Sequence, residues 1–144
     1  MRVASLLAIV AVAACSHTGT PDTFVRLEQT ECLGRCPVYT LTLYADGAVR
    51  YDGKRNAPTG TRWRTARPNE IARLMQLAER TPDWACDPAR ITTDQPQSII
   101  TVWRRRETRR IVHDHGDPCA PPSLQRLEGD LNLEAGTAHF LDGQ

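Results

Sequence analysis

The side chains able to do chemistry in this 144-residue chain fall into a few short stretches. The first is Cys32-Leu33-Gly34-Arg35-Cys36-Pro37-Val38-Tyr39, where two thiols stand four positions apart and lead directly into a strand-like run. Such a pair has three uses: a structural disulfide, an exchangeable redox pair, or two soft donors for an ion such as Cu(I). An extended chain would hold positions i and i+4 about 13 Å apart, beyond the ~7 Å Cα separation that a bridge tolerates. Residues 32–36 must therefore turn, and Gly34 supplies the backbone freedom.

The second stretch is His113, His115, Asp117 and Cys119, which share one parity along a strand and its exit. With a reduced Cys119 they would be candidate ligands for a first-row metal, and either histidine is a candidate partner for Cys32 and Cys36 in a redox or metal site. Ile111 has the same parity, so the plain alternative has the histidines continuing a core face toward the wet end of the sheet. Arg104, Arg105, Arg106, Arg109 and Arg110 crowd one hairpin. They are candidates for binding an anionic partner, against the plain alternative of a solvated tip that discourages edge pairing. Asp94 sits beside Gln95-Pro96, where a turn-forming role is the commoner one. No nucleophile–base constellation, phosphate loop or zincin spacing is present, so no catalytic residue, cofactor or resident metal is assigned.

Compartment follows from the first residues. Arg2 precedes an apolar run from Val3 to Ala14, shorter than the ~18 residues needed to cross a bilayer, so residues 1–14 read as a signal peptide. Val12-Ala13-Ala14-Cys15 resembles the lipobox of bacterial lipoproteins, which implies that Cys15 is acylated and becomes the first mature residue. Burial of acyl chains contributes roughly 0.8 kcal/mol per methylene, so one chain holds only marginally whereas two or three anchor firmly. Simple secretion after Ala14 is the alternative. Ser16, with no aspartate beside the lipidated cysteine, resembles the outer-membrane sorting pattern of Gram-negative envelopes. Residues 16–22 are small, polar and proline-punctuated, as a flexible tether should be. The expectation is thus a domain at 23–141, in the cell envelope, facing the periplasm and held to the membrane through Cys15.

Of the whole chain's 18 basic and 17 acidic side chains, only Arg2 is lost with residues 1–14, leaving the mature chain balanced. That excludes the strongly basic footprint of a nucleic-acid protein. Among the basic residues only Lys54 is lysine. With Cys15 assigned to lipid, Cys32, Cys36, Cys86 and Cys119 remain, and an even count in an exported chain argues for two disulfides. Proximity favours Cys32 with Cys36, leaving Cys86 with Cys119. Loop closure makes the short bridge worth about 2 kcal/mol and the long one about 4, with strain neglected.

The elements that must position these groups are legible in the periodicity. Residues 24–29 alternate, with Val25 and Leu27 on one side and Phe24, Arg26 and Glu28 on the other, as a half-exposed strand does. Residues 38–44 and 48–52 form a hairpin around Asp46-Gly47. A two-residue loop would set Leu43 against Arg50, whereas a three-residue loop with a left-handed Gly47 pairs Leu43 with Val49 and Leu41 with Tyr51, so the bulged form is expected. Residues 54–58 read as a polar loop and 60–65, around Trp63, as a fourth strand. Pro68 and Glu70 open a helix to about Arg80, with Ile71, Leu74, Met75 and Ala78 at i, i+3, i+4 and i+7. Residues 81–97 lack a period, and Cys86 is expected to pin them. Residues 98–103 and 108–115 form a second hairpin, and Cys119-Ala-Pro-Pro leads into a helix carrying Leu124, Leu127 and Leu131, stopped at Gly136. The class is α+β: an antiparallel sheet of two hairpins plus flanking strands, with two packed helices.

These features resemble a bacterial lipoprotein-associated family, the domain of unknown function 6438. Its pattern is Cys-x-Gly-x-Cys-Pro-x-Tyr, here Cys32, Gly34, Cys36, Pro37 and Tyr39, then an Asp-Gly turn at Asp46-Gly47, then Thr93-Asp94-Gln95-Pro96. The resemblance implies one domain over about residues 24–140 and brings no reaction. Cys86 and Cys119 lie outside the pattern. The segment Cys-x-x-x-Cys-Pro is also similar to the copper motif of synthesis-of-cytochrome-oxidase proteins, but there it enters a helix, whereas residues 38–44 read as strand. Two functions follow: a lipid-anchored envelope module that binds a partner, such as an envelope protein or anionic polymer, or serves structurally; alternatively, a thiol-redox or copper-handling protein using Cys32 and Cys36.

Overall fold

The computed structural model describes residues 23–80, 94–104 and 107–142. Six strands and three helices follow one another as β1 (Thr23–Gln29), β2 (Val38–Tyr44), β3 (Ala48–Arg55), β4 (Gly60–Thr65), α1 (Pro68–Arg80), β5 (Gln97–Arg104), β6 (Glu107–Asp114), α2 (Pro122–Glu134) and α3 (Thr137–Leu141). The strands make one antiparallel sheet in the order β4-β3-β2-β1-β5-β6. The first strand therefore does not flank the hairpins but joins them, pairing with β2 on one side and β5 on the other. Among the described residues no helix is long and apolar enough to cross a membrane.

The register is the one that burial demands. Leu43 faces Val49 and Leu41 faces Tyr51, with Gly47 at φ 91° in the connecting turn. A side chain at that φ would be strained, and a Cβ on Gly47 would stand 2.6 Å from Ile71 Cδ1. Val25, Leu27, Leu41, Leu43, Tyr51, Ile100, Val102 and Ile111 share one face of the sheet and pack with Leu74 of α1, Leu124, Leu127 and Leu131 of α2, and Phe140 of α3. All three helices thus cover the same face. Three aromatic rings stack through this layer: Tyr39 on Tyr51 at 5.7 Å, and Tyr51 on Phe140 at 5.1 Å.

Several details differ from the sequence reading. Phe24, expected on the solvent side, packs partly against the core, because a register shift between Thr23 and Val25 breaks the alternation at the start of β1. Met75 is 48% exposed; α1 faces the core through Ile71, Leu74 and Leu77 instead. Residues 54–55 extend β3 rather than belonging to the following loop. A third helix, α3, follows Gly136, whose left-handed φ of 67° ends α2 and reorients the chain.

Arg64 of β4 ties this layer together. Its guanidinium donates to the carbonyls of Glu134 and Ala135, both at 2.6 Å, and to Glu70 Oε2 at 3.1 Å. Two orphan carbonyls at the C-terminus of α2 are thereby satisfied by a cation, where the helix dipole favours one. Glu70, in the first turn of α1, also accepts from the Arg67 backbone amide at 2.8 Å and from the Arg67 guanidinium at 2.8 and 3.0 Å. Those bonds, led by the backbone amide, hold its carboxyl down at about 2. The main-chain bond is half of a capping box.

Candidate functional site

Along the helix-covered face the apolar rows give way to a polar one at one end of the sheet. Leu41, Leu27, Ile100 and Ile111 stand in register across β2, β1, β5 and β6; two residues further on, the row is Tyr39, Gln29, Ser98 and His113. The α2 stripe of Leu124, Leu127 and Leu131 lies over this region, and Glu128 falls within the same stripe, buried. A carboxylate in that position must find partners below it, since an unpaired buried charge is costly.

It finds two imidazoles. Glu128 Oε1 lies 2.6 Å from His113 Nδ1, and Oε2 lies 3.4 Å from His115 Nε2. The two rings stack with centroids 4.7 Å apart. His113 and Glu128 are buried, while the His115 side chain keeps 29% of its surface open to solvent. His115 Nε2 shares a 2.7 Å hydrogen bond with the Ser98 hydroxyl, which accepts another from Gln29 Nε2 at 2.7 Å. The His115 amide donates to the Pro96 carbonyl at 3.1 Å, fixing the exit of β6 against the 94–96 segment. Burial holds the His115 imidazole below its ordinary range; Glu128 opposes that shift and His113 adds to it.

Beside this network Tyr39 donates to Asn132 Oδ1 at 2.9 Å, Thr137 donates to the same oxygen, and Asn132 Nδ2 donates to the Glu128 carbonyl. Burial first, then the nearby Tyr51 and Glu128, push the Tyr39 phenol up to about 12, against the lowering effect of Asn132.

The chain belongs to the family described as a domain of unknown function, DUF6438, whose model matches residues 23–133. No curated protein matches the chain. The family match spans β1 to almost the end of α2, so it contains the whole polar row, both histidines and Glu128, and the cysteine turn. It names no reaction.

The same end of the sheet carries that turn. Cys32 and Cys36 are joined in a disulfide, their Cα atoms 5.7 Å apart. The Leu33 amide donates to the Asp94 carbonyl at 3.3 Å, and Asn56 Nδ2 donates to the Cys36 carbonyl at 3.1 Å. Asp94 thus helps seat the turn through its backbone. Leu33, at the turn's tip, is 83% exposed.

Of the residues singled out in the sequence, His113 and His115 are brought together. His113 continues the Ile111 face and is buried beneath α2, while His115 reaches the exposed rim. The regular alternation stops at Asp114, because Asp117 N donates back to the Asp114 carbonyl and Asp117 Oδ1 accepts from the Cys119 amide. Glu128, not Asp117 or Cys119, is the group gathered with the histidines among the described residues. Cys119 is exposed; its expected partner Cys86 lies outside the described residues, as do Arg105 and Arg106, Cys15 and residues 1–22. Arg109 Nε stands 3.6 Å from Glu107, and Arg110 is exposed. Both lie toward the opposite end of the sheet, where Val102 pairs with Val25 and Arg109.

Ser98, His115 and Glu128 have the residue types of an acyl-transfer triad without its geometry. Both Ser98 Oγ and Glu128 Oε2 address the same Nε2, whereas a triad needs the carboxylate on the other ring nitrogen. Ser98 is moreover fully buried. What the cluster can do is hold charge and offer N and O donors.

Proposed function

We propose that the chain is a lipid-anchored protein of the cell envelope: residues 1–14 direct export, acylated Cys15 holds the membrane, residues 16–22 are the tether, and the domain that follows binds a partner or serves structurally. The observation that carries this reading is the disulfide between Cys32 and Cys36 on an exposed turn, which suits an oxidising compartment and closes an otherwise open loop.

The course of β1 gives the proposal a geometry. Its first residue, Thr23, adjoins the tether, and the strand's seven residues carry the chain roughly 20 Å to the end bearing the disulfide turn and the His113–His115–Glu128 cluster. An anchor at Cys15 would attach the domain at the other end of β1, leaving the disulfide end and Leu33 the farther from the point of attachment. The tethered end is also the one to which Arg109 and Arg110 of β6 lie nearer, and a guanidinium there suits headgroup phosphate. In a Gram-negative host the outer membrane is the expected address. The thiol-redox or copper-handling alternative requires Cys32 and Cys36 to be reduced in place.

Fractionation of cells expressing the wild type and Cys15→Ala tests the reading. The wild type should stay with membranes through a high-salt wash, and Cys15→Ala should appear in the soluble periplasmic fraction. Retention of the mature variant, with residues 1–14 removed, on membranes would overturn the lipid anchor.

A further inference from the structure

We propose that His113, His115 and Glu128 form a binding site for one first-row divalent cation of the zinc class. The donor atoms all lie within 4.8 Å of one another. Two imidazole nitrogens and one carboxylate oxygen are a borderline set that suits zinc and its first-row neighbours; calcium and magnesium prefer oxygen throughout. Three protein ligands also leave one position of a tetrahedral ion open, the arrangement of zinc sites that exchange a water or ligand.

Each oxygen of the buried carboxylate is addressed by a different ring, so the three groups converge on one point instead of forming a simple pair. The solvent-facing side of His115 provides an entry path, while His113 and Glu128 form a dry floor. The rearrangement required is small. Bonds of about 2.0–2.2 Å place tetrahedral donors roughly 3.3 Å apart, so the 2.6 Å His113–Glu128 contact must open by several tenths of an ångström and the widest separation must close. Rotation of the partly exposed His115 ring supplies the second movement, its Nε2 giving up the 2.7 Å bond to the Ser98 hydroxyl. The ion takes the place of the hydrogen that bridges Nδ1 and Oε1.

Mechanical need does not account for these residue types. Elsewhere in the same helix layer Glu70 is pinned by Arg64 and Arg67, which hold a carboxylate without offering a metal any donor. The proposal stands apart from the lipid anchor and from the cysteines, neither of which contributes a ligand.

The test uses the full chain purified in detergent and titrated with Co2+, a spectroscopic stand-in for Zn2+. One equivalent should produce the visible absorption of a four-coordinate ion, and Zn2+ should bleach it. Glu128→Gln, close to isosteric, and His115→Asn, at the open edge, should each abolish the band while circular dichroism shows both folded. The double variant Cys32→Ser, Cys36→Ser should keep it. Absence of the band in the wild type would overturn the site, as would its persistence in both ligand variants or its loss only in the cysteine variant.

Discussion

Two carboxylates are sunk into the layer between the helices and the sheet, and they are held by different chemistries. Glu70 meets Arg64 and Arg67, whose charges are permanent; the Arg64 fork also caps the end of α2, and the Arg67 backbone amide adds half of a capping box. Glu128 meets His113 and His115, whose ring nitrogens are the kind of donor that can also ligate a metal. The first knot lies toward β4 and the C-terminus of α2; the second lies under the middle of α2, at the disulfide end of the sheet. Both pin a helix to strands. If pinning were the whole requirement, arginine would serve in both places, so the comparison marks the histidine knot as the one with a further use.

The largest expected effect breaks the structural knot. Arg64→Ala leaves the two last carbonyls of α2 unsatisfied and removes one of Glu70's two cations, and should lower unfolding stability in urea by about 3 kcal/mol. Glu128→Gln should cost less, roughly 1 kcal/mol in the same assay, because the amide oxygen still accepts from His113 and no charge is left unpaired below α2. A loss as large as that of Arg64→Ala would mean the histidine knot is chiefly structural.

Acid should separate the knots further. The Glu70 carboxyl is depressed from 4.5 to about 2 in the folded chain, so its stabilisation is complete above pH 4.5 and lost as pH falls toward 2. Compared with Glu70→Gln, the wild type should lose about 1 kcal/mol more across that window, a figure reduced by solvent around the exposed Arg67. An identical acid profile for both proteins would contradict the arginine assignment. At the alkaline extreme the Tyr39 phenol, raised to about 12, should be the late step in an ultraviolet tyrosine titration. Its raised value means that stability is intact below pH 10 and declines between 10 and about 12. Tyr39→Phe should remove that step. The smallest effect is that of Arg67→Ala, whose guanidinium is mostly exposed, so that its loss should barely move the urea midpoint.

How far the sequence reached differs between the two knots as well. The bulged hairpin register was legible because only one loop length puts Leu43 opposite Val49 and Leu41 opposite Tyr51. The turn at 32–36 followed from reach alone, and the α2 stripe from its leucines. Glu128 was missed because a charged residue on a helix reads as solvent-facing. Its signal was its place: four residues after Leu124 and three before Leu131, inside the apolar stripe. Arg64 carried a similar signal, sharing strand parity with Arg62 on what proves to be the helix-covered face, where Arg62 donates to the Phe140 carbonyl. Alternation alone could not say which face of an edge strand the helices would cover. Asp117 and Cys119 failed as partners for the histidines because parity persists only while the strand does, and the backbone bond from Asp117 to Asp114 ends it.

Thermal unfolding of the wild type and Glu128→Gln, each with chelator and then with Zn2+ at a hundred times its dissociation constant for the wild type, tests the difference between the two knots most directly. The account predicts that Zn2+ raises wild-type stability by about 2.7 kcal/mol, a shift of several degrees in Tm for a domain of this size, and leaves Glu128→Gln unmoved. A wild-type Tm that ignores Zn2+, or an equal rise in both proteins, would contradict it.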